Sequence, residues 1–252
     1  MIIMRIQAVF FDFGDTLVHA SPNFDTETCI FSFHRSLLKN GISISYETCR
    51  KAYIEVADKF FSRDYIKEIT FGLVLSEALN QLSYSLKPTD KIIIEAAEAY
   101  MEPWIQARTI DRYAPSILRK LRKKHKLGIV SNITYSPALW KTLERFDIVN
   151  LFDVVITSVD VGWRKPSPKI FKKALRALNV LASETVFVGD ELDHDVEGAQ
   201  KVGMRTILLK KKSIEDTPSK VKPDATIYEI KELPSALESL ETKIQSNSKQ
   251  RQ

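Results

Sequence analysis

Residues Val9–Val18 read VFFDFGDTLV. The apolar, β-prone run Ile6–Phe11 predicts a buried strand, and Asp12-Phe13-Gly14-Asp15-Thr16 predicts a polar loop at its carboxyl end. The same juxtaposition recurs downstream. Ile129-Val130 runs into Ser131-Asn132, and Val186–Val188 runs into Gly189-Asp190-Glu191-Leu192-Asp193-His194-Asp195. Lys165-Pro166 follows a few residues after Val154–Thr157. Three acids, a hydroxyl and an amine therefore fall at strand ends.

Around these clusters the chain alternates. Helices are expected at Pro115–His125, Pro137–Arg145, Pro168–Leu178, Asp195–Val202 and Leu233–Leu240. Between them, strands are expected at Leu127–Val130, Val154–Thr157, Thr185–Val188, Thr206–Leu209 and Ala225–Ile227. Short buried strands alternating with helices predict an α/β fold with a Rossmann-like parallel sheet covered on both faces. Ligands of such sheets bind at the carboxyl ends of the strands, where the polar clusters lie.

From Asn23 to Arg108 the texture is helical, with no strand expected. The segments are Asp25–Lys39, Ser45–Arg63, Tyr65–Leu82 and Thr89–Gln106, the last with Thr89 as its cap. The expected organisation is an α/β core formed by residues 1–20 and 109–240, with an all-α four-helix insert at 21–108. Glu241–Gln252 is polar and is expected to be a disordered tail.

Composition narrows the class less sharply. The chain has 252 residues, 44% hydrophobic and 27% charged, which suits a soluble globular protein with a real core. Cys29 and Cys49 cannot form a disulfide framework and read as reduced thiols in a cytoplasmic protein. No stretch is long enough to span a bilayer, and Met1–Phe11 reads as a buried first strand rather than an export signal. The net charge of +5 admits anionic ligands without choosing among them. The basic runs Arg119–Lys126 and Lys210–Lys212 lack interleaved aromatics, so they read as solvated surface rather than a nucleic-acid site. His19, His34, His125 and His194 share no ligand spacing, and His194 is expected to be exposed.

Four motifs, in this order, resemble those of the haloacid dehalogenase superfamily: VFFDFGDTLV (Val9–Val18), IVSN (Ile129–Asn132), GWRKPSPKIF (Gly162–Phe171) and VFVGDELDHDVEGAQKVGM (Val186–Met204). The resemblance covers the chain apart from the tail and places the helical insert as the family's cap. It implies a Mg²⁺-dependent phosphatase of small phosphorylated metabolites. Asp12 would be the nucleophile that forms an aspartyl-phosphate. Thr16 would hydrogen-bond near the transferring group. Ser131 and Asn132 would bind phosphate oxygens, and Lys165 would neutralise charge on the phosphoryl group and on Asp12. Mg²⁺ would sit on Asp12, the Gly14 carbonyl, Asp190 and Asp195, with Asp195 acting through a metal water or by holding Lys165. Phe71-Gly72 and Arg63 are the cap residues expected to face the catalytic loops. Monomer and homodimer are both compatible with the sequence.

One position departs from the family's pattern. Family phosphatases usually read Asp-x-Asp-Gly-Thr, and here the second aspartate is Gly14. The resemblance gives that aspartate two jobs, a carbonyl on the metal and a carboxyl that protonates the leaving oxygen. Gly14 keeps only the carbonyl, and general acid help is worth about 10²–10⁴-fold. Asp15 could substitute, the substrates could carry good leaving groups, or turnover could be slow. The departure also admits a metal-independent 2-haloacid dehalogenase as the alternative. A basic-patch nucleic-acid-binding protein without catalysis is the second alternative.

Overall fold

In the computed structural model the described residues are 5–61, 66–210 and 220–250, with side chains described through residue 246. Strand β1 (Ala8–Phe11) leads to β2 (Val18–Ala20), then helices α1 (Thr26–Lys39), α2 (Tyr46–Phe60), α3 (Phe71–Asn80) and α4 (Lys91–Gln106), and strand β3 (Arg108–Ile110). There follow α5 (Ala114–Arg122), β4 (Lys126–Ser131), α6 (Ser136–Arg145), β5 (Val154–Thr157), α7 (Ser158–Val161), α8 (Pro168–Leu178) and β6 (Thr185–Gly189). The chain continues through α9 (Glu197–Gln200), β7 (Arg205–Leu209), β8 (Ala225–Ile227) and α10 (Leu233–Gln250).

Six strands form one parallel sheet in the order β5-β4-β1-β6-β7-β8. β1 is central because its residues are apolar on both faces. Val9 and Phe11 join the cluster under α5, α6 and α10, while Ala8 and Phe10 join the cluster under α8. The period-two alternation of a strand sends these pairs to opposite faces, so no polar residue is tolerated before Asp12. The chain order reverses at β1, with β4 on one side and β6 on the other. Such a switch point opens a crevice at the carboxyl ends of the strands.

Helices α1 to α4 bury a separate apolar cluster that includes Ile30, Phe33, Leu37, Val56, Phe71, Leu75, Ile93 and Tyr100. Polar N-caps start three of them: Asp25, Ser45 and Thr70 each accept a free backbone N–H of the first turn. The entry and exit of this insert pair with each other, because β2 and β3 form a short antiparallel ladder.

Several boundaries differ from the sequence-based expectation. The ladder places a strand at Arg108–Ile110, at the edge of a region expected to hold none. The expected helix over Tyr65–Leu82 is confined to Phe71–Asn80, with Lys67 in a β-bridge to Trp163. At α4 the N-cap is Asp90 rather than Thr89, and its carboxylate accepts the Lys87 N–H. The helix expected from Asp195 begins instead as a π-helical turn, Leu192–Val196, that continues into α9.

Nor does the expected disorder from Glu241 hold. α10 runs on to Gln250, and Ile244 is buried against the core one turn beyond Leu237 and Leu240. Arg63, Lys211 and Lys212 lie outside the described residues.

Candidate active site

Asp12 leaves β1 with its backbone N–H donating to the Val188 carbonyl of β6. The pairing of β1 with β6 thus fixes where its side chain enters the crevice. Ser131 ends β4, Asp190 follows β6, and Lys165 comes from the loop between α7 and α8. These residues, with Gly14, Asn132, Arg164, Glu191 and His194, line one cavity of about 300 Å³. One carboxylate oxygen from each of Asp12, Asp190 and Asp195 lies within 4.8 Å of the others.

Lys165 is 3% exposed and forms the cationic centre. Its ammonium donates to Asp12 Oδ1 and, at 2.7 Å, to Asp195 Oδ1. Asp195 in turn accepts the Glu191 N–H. Its approach depends on Gly189, where a Cβ would stand 2.2 Å from the Asp195 carboxylate. Thr16, fully buried, donates to Asp190 Oδ1 at 3.2 Å. The Asn132 side chain holds the Lys165 backbone at both ends, accepting its N–H and donating to its carbonyl. What Asn132 can offer the cavity is therefore its own backbone, with the Ser131 hydroxyl beside it.

The electrostatics follow from burial. Loss of solvent pushes Asp12 up to about 7, against the pull of Lys165, and the charges of Asp195 and Asp190 add to the rise. Burial alone would lower the Lys165 pKa, but the two carboxylates outweigh it and hold the ammonium protonated. Three acids against one amine leave a surplus of negative charge. The donor set is hard oxygen, which fits a divalent cation such as Mg²⁺. An ion there would leave Ser131, the Asn132 backbone and Lys165 to face an anionic group.

At Gly14 an added Cβ would meet nothing within 4 Å, so the position has room for a side chain that the sequence does not supply. Asp15 lines the same cavity in a left-handed conformation, φ 58°, with its carboxylate 3.5 Å from His19 Nδ1.

The structure brings together all the expected site residues: Asp12, Gly14, Thr16, Ser131, Asn132, Lys165, Asp190 and Asp195. Other expectations are corrected. Phe71 and Gly72 touch the loop after β4 and the Pro88 carbonyl but are absent from the cavity lining: the Phe71 ring packs on Tyr53 and Tyr100 of the insert and Tyr135 of the core. Among the described insert residues it is Trp104 that reaches the cavity. His194 is only partly exposed, with Nδ1 2.7 Å from Glu191. The basic run is partly consumed by structure. Arg122 bonds the Leu151 carbonyl and Asp153, His125 bonds the Ile6 carbonyl, and Lys126 bonds the Leu178 carbonyl. Sequence reasoning missed Arg164, although it sits inside the third motif beside Lys165.

Comparison with known proteins places the chain in a family. The family model for haloacid dehalogenase-like hydrolases matches residues 9–209. Glyceraldehyde 3-phosphate phosphatase of Pyrococcus furiosus is 29% identical over 238 residues, 94% of each chain. A crystal structure of a HAD phosphatase from Thermococcus onnurineus superposes with TM-score 0.63 at 26% identity, covering 92% of this chain and 97% of that one. For the fold alone, 2-haloacid dehalogenase from Pseudomonas syringae gives TM-score 0.68 at 24% identity, covering 93% and 99%. With four motifs gathered at one switch point and a family match over most of its length, the chain belongs to the haloacid dehalogenase-like hydrolases.

Proposed function

We propose that the protein is a Mg²⁺-dependent phosphomonoester phosphatase of small phosphorylated metabolites, acting through an aspartyl-phosphate on Asp12. One observation carries the reading: Asp12, Asp190 and Asp195 crowd within 4.8 Å around a single buried ammonium. A phosphatase uses that surplus charge to hold a divalent ion. A metal-independent dehalogenase would have to bring an anionic haloacid up to it unaided. The relatives named as phosphatases support the same choice.

Asp190, Asp195, Asp12 and the Gly14 carbonyl would hold the ion, which supplies positive charge beside the reacting phosphoryl group. Ser131 and the Asn132 backbone would orient the phosphoryl oxygens. Lys165 keeps Asp12 in place and offsets its charge. An Asp12 carboxylate oxygen attacks phosphorus, the ester P–O bond breaks, and the leaving oxygen takes a proton from solvent water, since Gly14 supplies no acid. Water then attacks phosphorus, releasing inorganic phosphate and restoring Asp12. The cavity, about 300 Å³ and bordered on the insert side by Trp104, suits a small metabolite rather than a macromolecule.

Phosphate release from a panel of phosphorylated metabolites and from p-nitrophenyl phosphate tests this. Release should require Mg²⁺ and stop on adding EDTA. Halide release from 2-chloropropionate in EDTA, with no phosphate release in Mg²⁺, would overturn it. The space at Gly14 adds a sharper check. Gly14→Asp should raise kcat on alkyl phosphates by about 10-fold or more, and change aryl phosphates little, since only poor leaving groups need the proton.

A further inference from the structure

Glu68 is a charged residue on the insert whose side chain has no solvent exposure. It belongs to a short extended strap, Ile66–Thr70, by which the insert docks on the core a second time, away from the β2–β3 ladder. Glu68 N–H donates to the Gly162 carbonyl, Arg164 N–H donates to the Ile66 carbonyl, and Phe71 N–H donates to the Thr134 carbonyl. The Glu68 carboxylate accepts from the Ser158 hydroxyl, and its two oxygens lie 3.2 and 3.4 Å from Arg164 Nη1. A buried ion pair of this kind is weak evidence for stability, because desolvation offsets much of its attraction. It does fix where the guanidinium points.

Arg164 lines the cavity that holds Asp12, yet its backbone neighbour Lys165 takes the catalytic contacts. Only Nη1 is used by Glu68. Among the described residues, Arg164 Nη2 and Nε make no hydrogen bond, and the side chain keeps 26% exposure. Two neighbouring polar groups on this wall are already committed. Both ends of the Asn132 amide are spent on the Lys165 backbone, and His194 Nδ1 is spent on Glu191. Trp104 and Ile133 supply apolar surface. Arg164 thus offers charged N–H groups not used by Glu68 to the part of a ligand that is not phosphate.

The surroundings narrow what it would meet. Glu68 already balances its charge, and Asp15, Asp190 and Glu191 share the cavity wall. A second anionic group would sit among acids, whereas a neutral oxygen would gain a charge-assisted hydrogen bond without that repulsion. We propose that Arg164 is a substrate-recognition residue, positioned by Glu68 of the insert, that donates to a hydroxyl or carbonyl oxygen on the organic part of a phosphate ester. The inference rests on the phosphatase reading above and adds a residue and a substrate class to it. Glu68 never meets the substrate. It acts through Arg164, so substrate recognition depends on the strap being docked.

Steady-state kinetics on two substrate types test this. Phenyl phosphate has no oxygen beyond its phosphate. Glycerol 3-phosphate, glyceraldehyde 3-phosphate and ribose 5-phosphate carry several, and the best of these is used. Arg164→Met should raise KM for the hydroxylated ester about 10- to 100-fold, the worth of one charge-assisted hydrogen bond. Its loss of kcat/KM on phenyl phosphate should be at least about fivefold smaller than on the hydroxylated ester, and an unchanged Tm reports the intact fold. Glu68→Gln, which keeps the volume and one acceptor, should raise the same KM by less. In the Arg164→Met background it should raise KM no further. Equal losses on both substrate types, or additive KM changes in the double variant, overturn the proposal. Wild-type release from phenyl phosphate alone overturns it while leaving the phosphatase reading standing. No release from any ester overturns both.

Discussion

The carboxyl end of the sheet buries charge, whereas among the described residues the interior of the helical insert holds hydroxyls and a histidine ring, and its buried carboxylate, Glu68, faces the core. At the sheet, Asp12, Lys165 and Asp195 are each less than a tenth exposed and lie in direct contact. Inside the insert the buried polar atoms are the Tyr53 and Tyr100 hydroxyls, paired at 2.7 Å, the Ser76 hydroxyl on the Leu73 carbonyl, and the His34 ring on the Ile44 carbonyl. Burial there raises the thiols of Cys29 to about 11 and Cys49 to about 12, so neither is a ready nucleophile. Hydroxyl pairs of this kind hold a shape at low cost. Buried charge is expensive and is kept where chemistry needs it. The two regions should therefore fail differently: damage at the sheet end costs activity whatever it does to stability, and damage inside the insert costs stability while leaving activity in place.

Asp12→Asn gives the largest expected effect. Phosphate release should fall by at least about 10³-fold, because the nucleophile is gone. Stability should move the other way. The folded pKa of Asp12 is about 7 against a reference of 3.8, so between those values the unfolded chain has lost a proton that the folded chain keeps. Stability of the metal-free protein should accordingly fall as pH rises from about 4 to about 7. Asp12→Asn should flatten that slope and melt no lower than wild type at pH 8 without Mg²⁺. A variant that is both inactive and less stable would mean that Asp12 serves the fold as much as the reaction.

Lys165→Met removes the one ammonium between Asp12 and Asp195. Breaking a buried ionic cluster by deleting one partner costs about 3–5 kcal/mol. Urea denaturation of the metal-free variant should show a loss of that order, and Mg²⁺ should recover part of it. A loss confined to activity would mean that solvent reaches the cluster and that the contrast between the two regions is weaker than drawn. The matching insert variant is Tyr100→Phe. It leaves the Tyr53 hydroxyl without its acceptor, which costs about 1–3 kcal/mol in a buried site. Thermal melts should register that loss while kcat/KM stays within about twofold of wild type.

The same contrast explains what could be read from the sequence. The sheet and the residues gathered at its end were legible because backbone pairing puts them there. Asp12, Ser131 and Asp190 each close an apolar run, and parallel neighbours aligned in register must end together. Arg164 and Glu68 were not legible, since nothing local distinguishes them from solvated surface charges. Their meeting needs the strap to dock 96 residues away in sequence. The β2–β3 ladder is only three residues on each side, too short for a periodic signal. The end of α10 was readable in principle. Leu233, Leu237, Leu240 and Ile244 keep a helical spacing through a stretch whose polar composition suggests disorder.

His125 supplies the smallest and most local test, at the end of the sheet opposite the cavity. It precedes β4, is 9% exposed, and its Nδ1 lies 3.0 Å from the Ile6 carbonyl. Burial is the main cause of its lowered pKa, and the nearby charges of Arg5 and Lys124 push the same way. The Ile6 carbonyl and Glu241 oppose the shift without reversing it. Above the ordinary imidazole value both folded and unfolded chains are neutral here, and the group contributes nothing to the pH dependence. As pH falls through 6.5 the unfolded chain gains a proton that the folded chain resists, so stability drops on the acid side. This slope has the opposite sign to that of Asp12 and comes from a site with no catalytic role. His125→Asn keeps a side-chain donor near the position of Nδ1 and removes the titration. Denaturation midpoints between pH 7 and pH 5 should decline less in the variant than in wild type, while the pH profile of kcat/KM stays unchanged. A shifted activity profile would show that the two ends of the sheet are coupled, and that charge buried at one end is felt at the other.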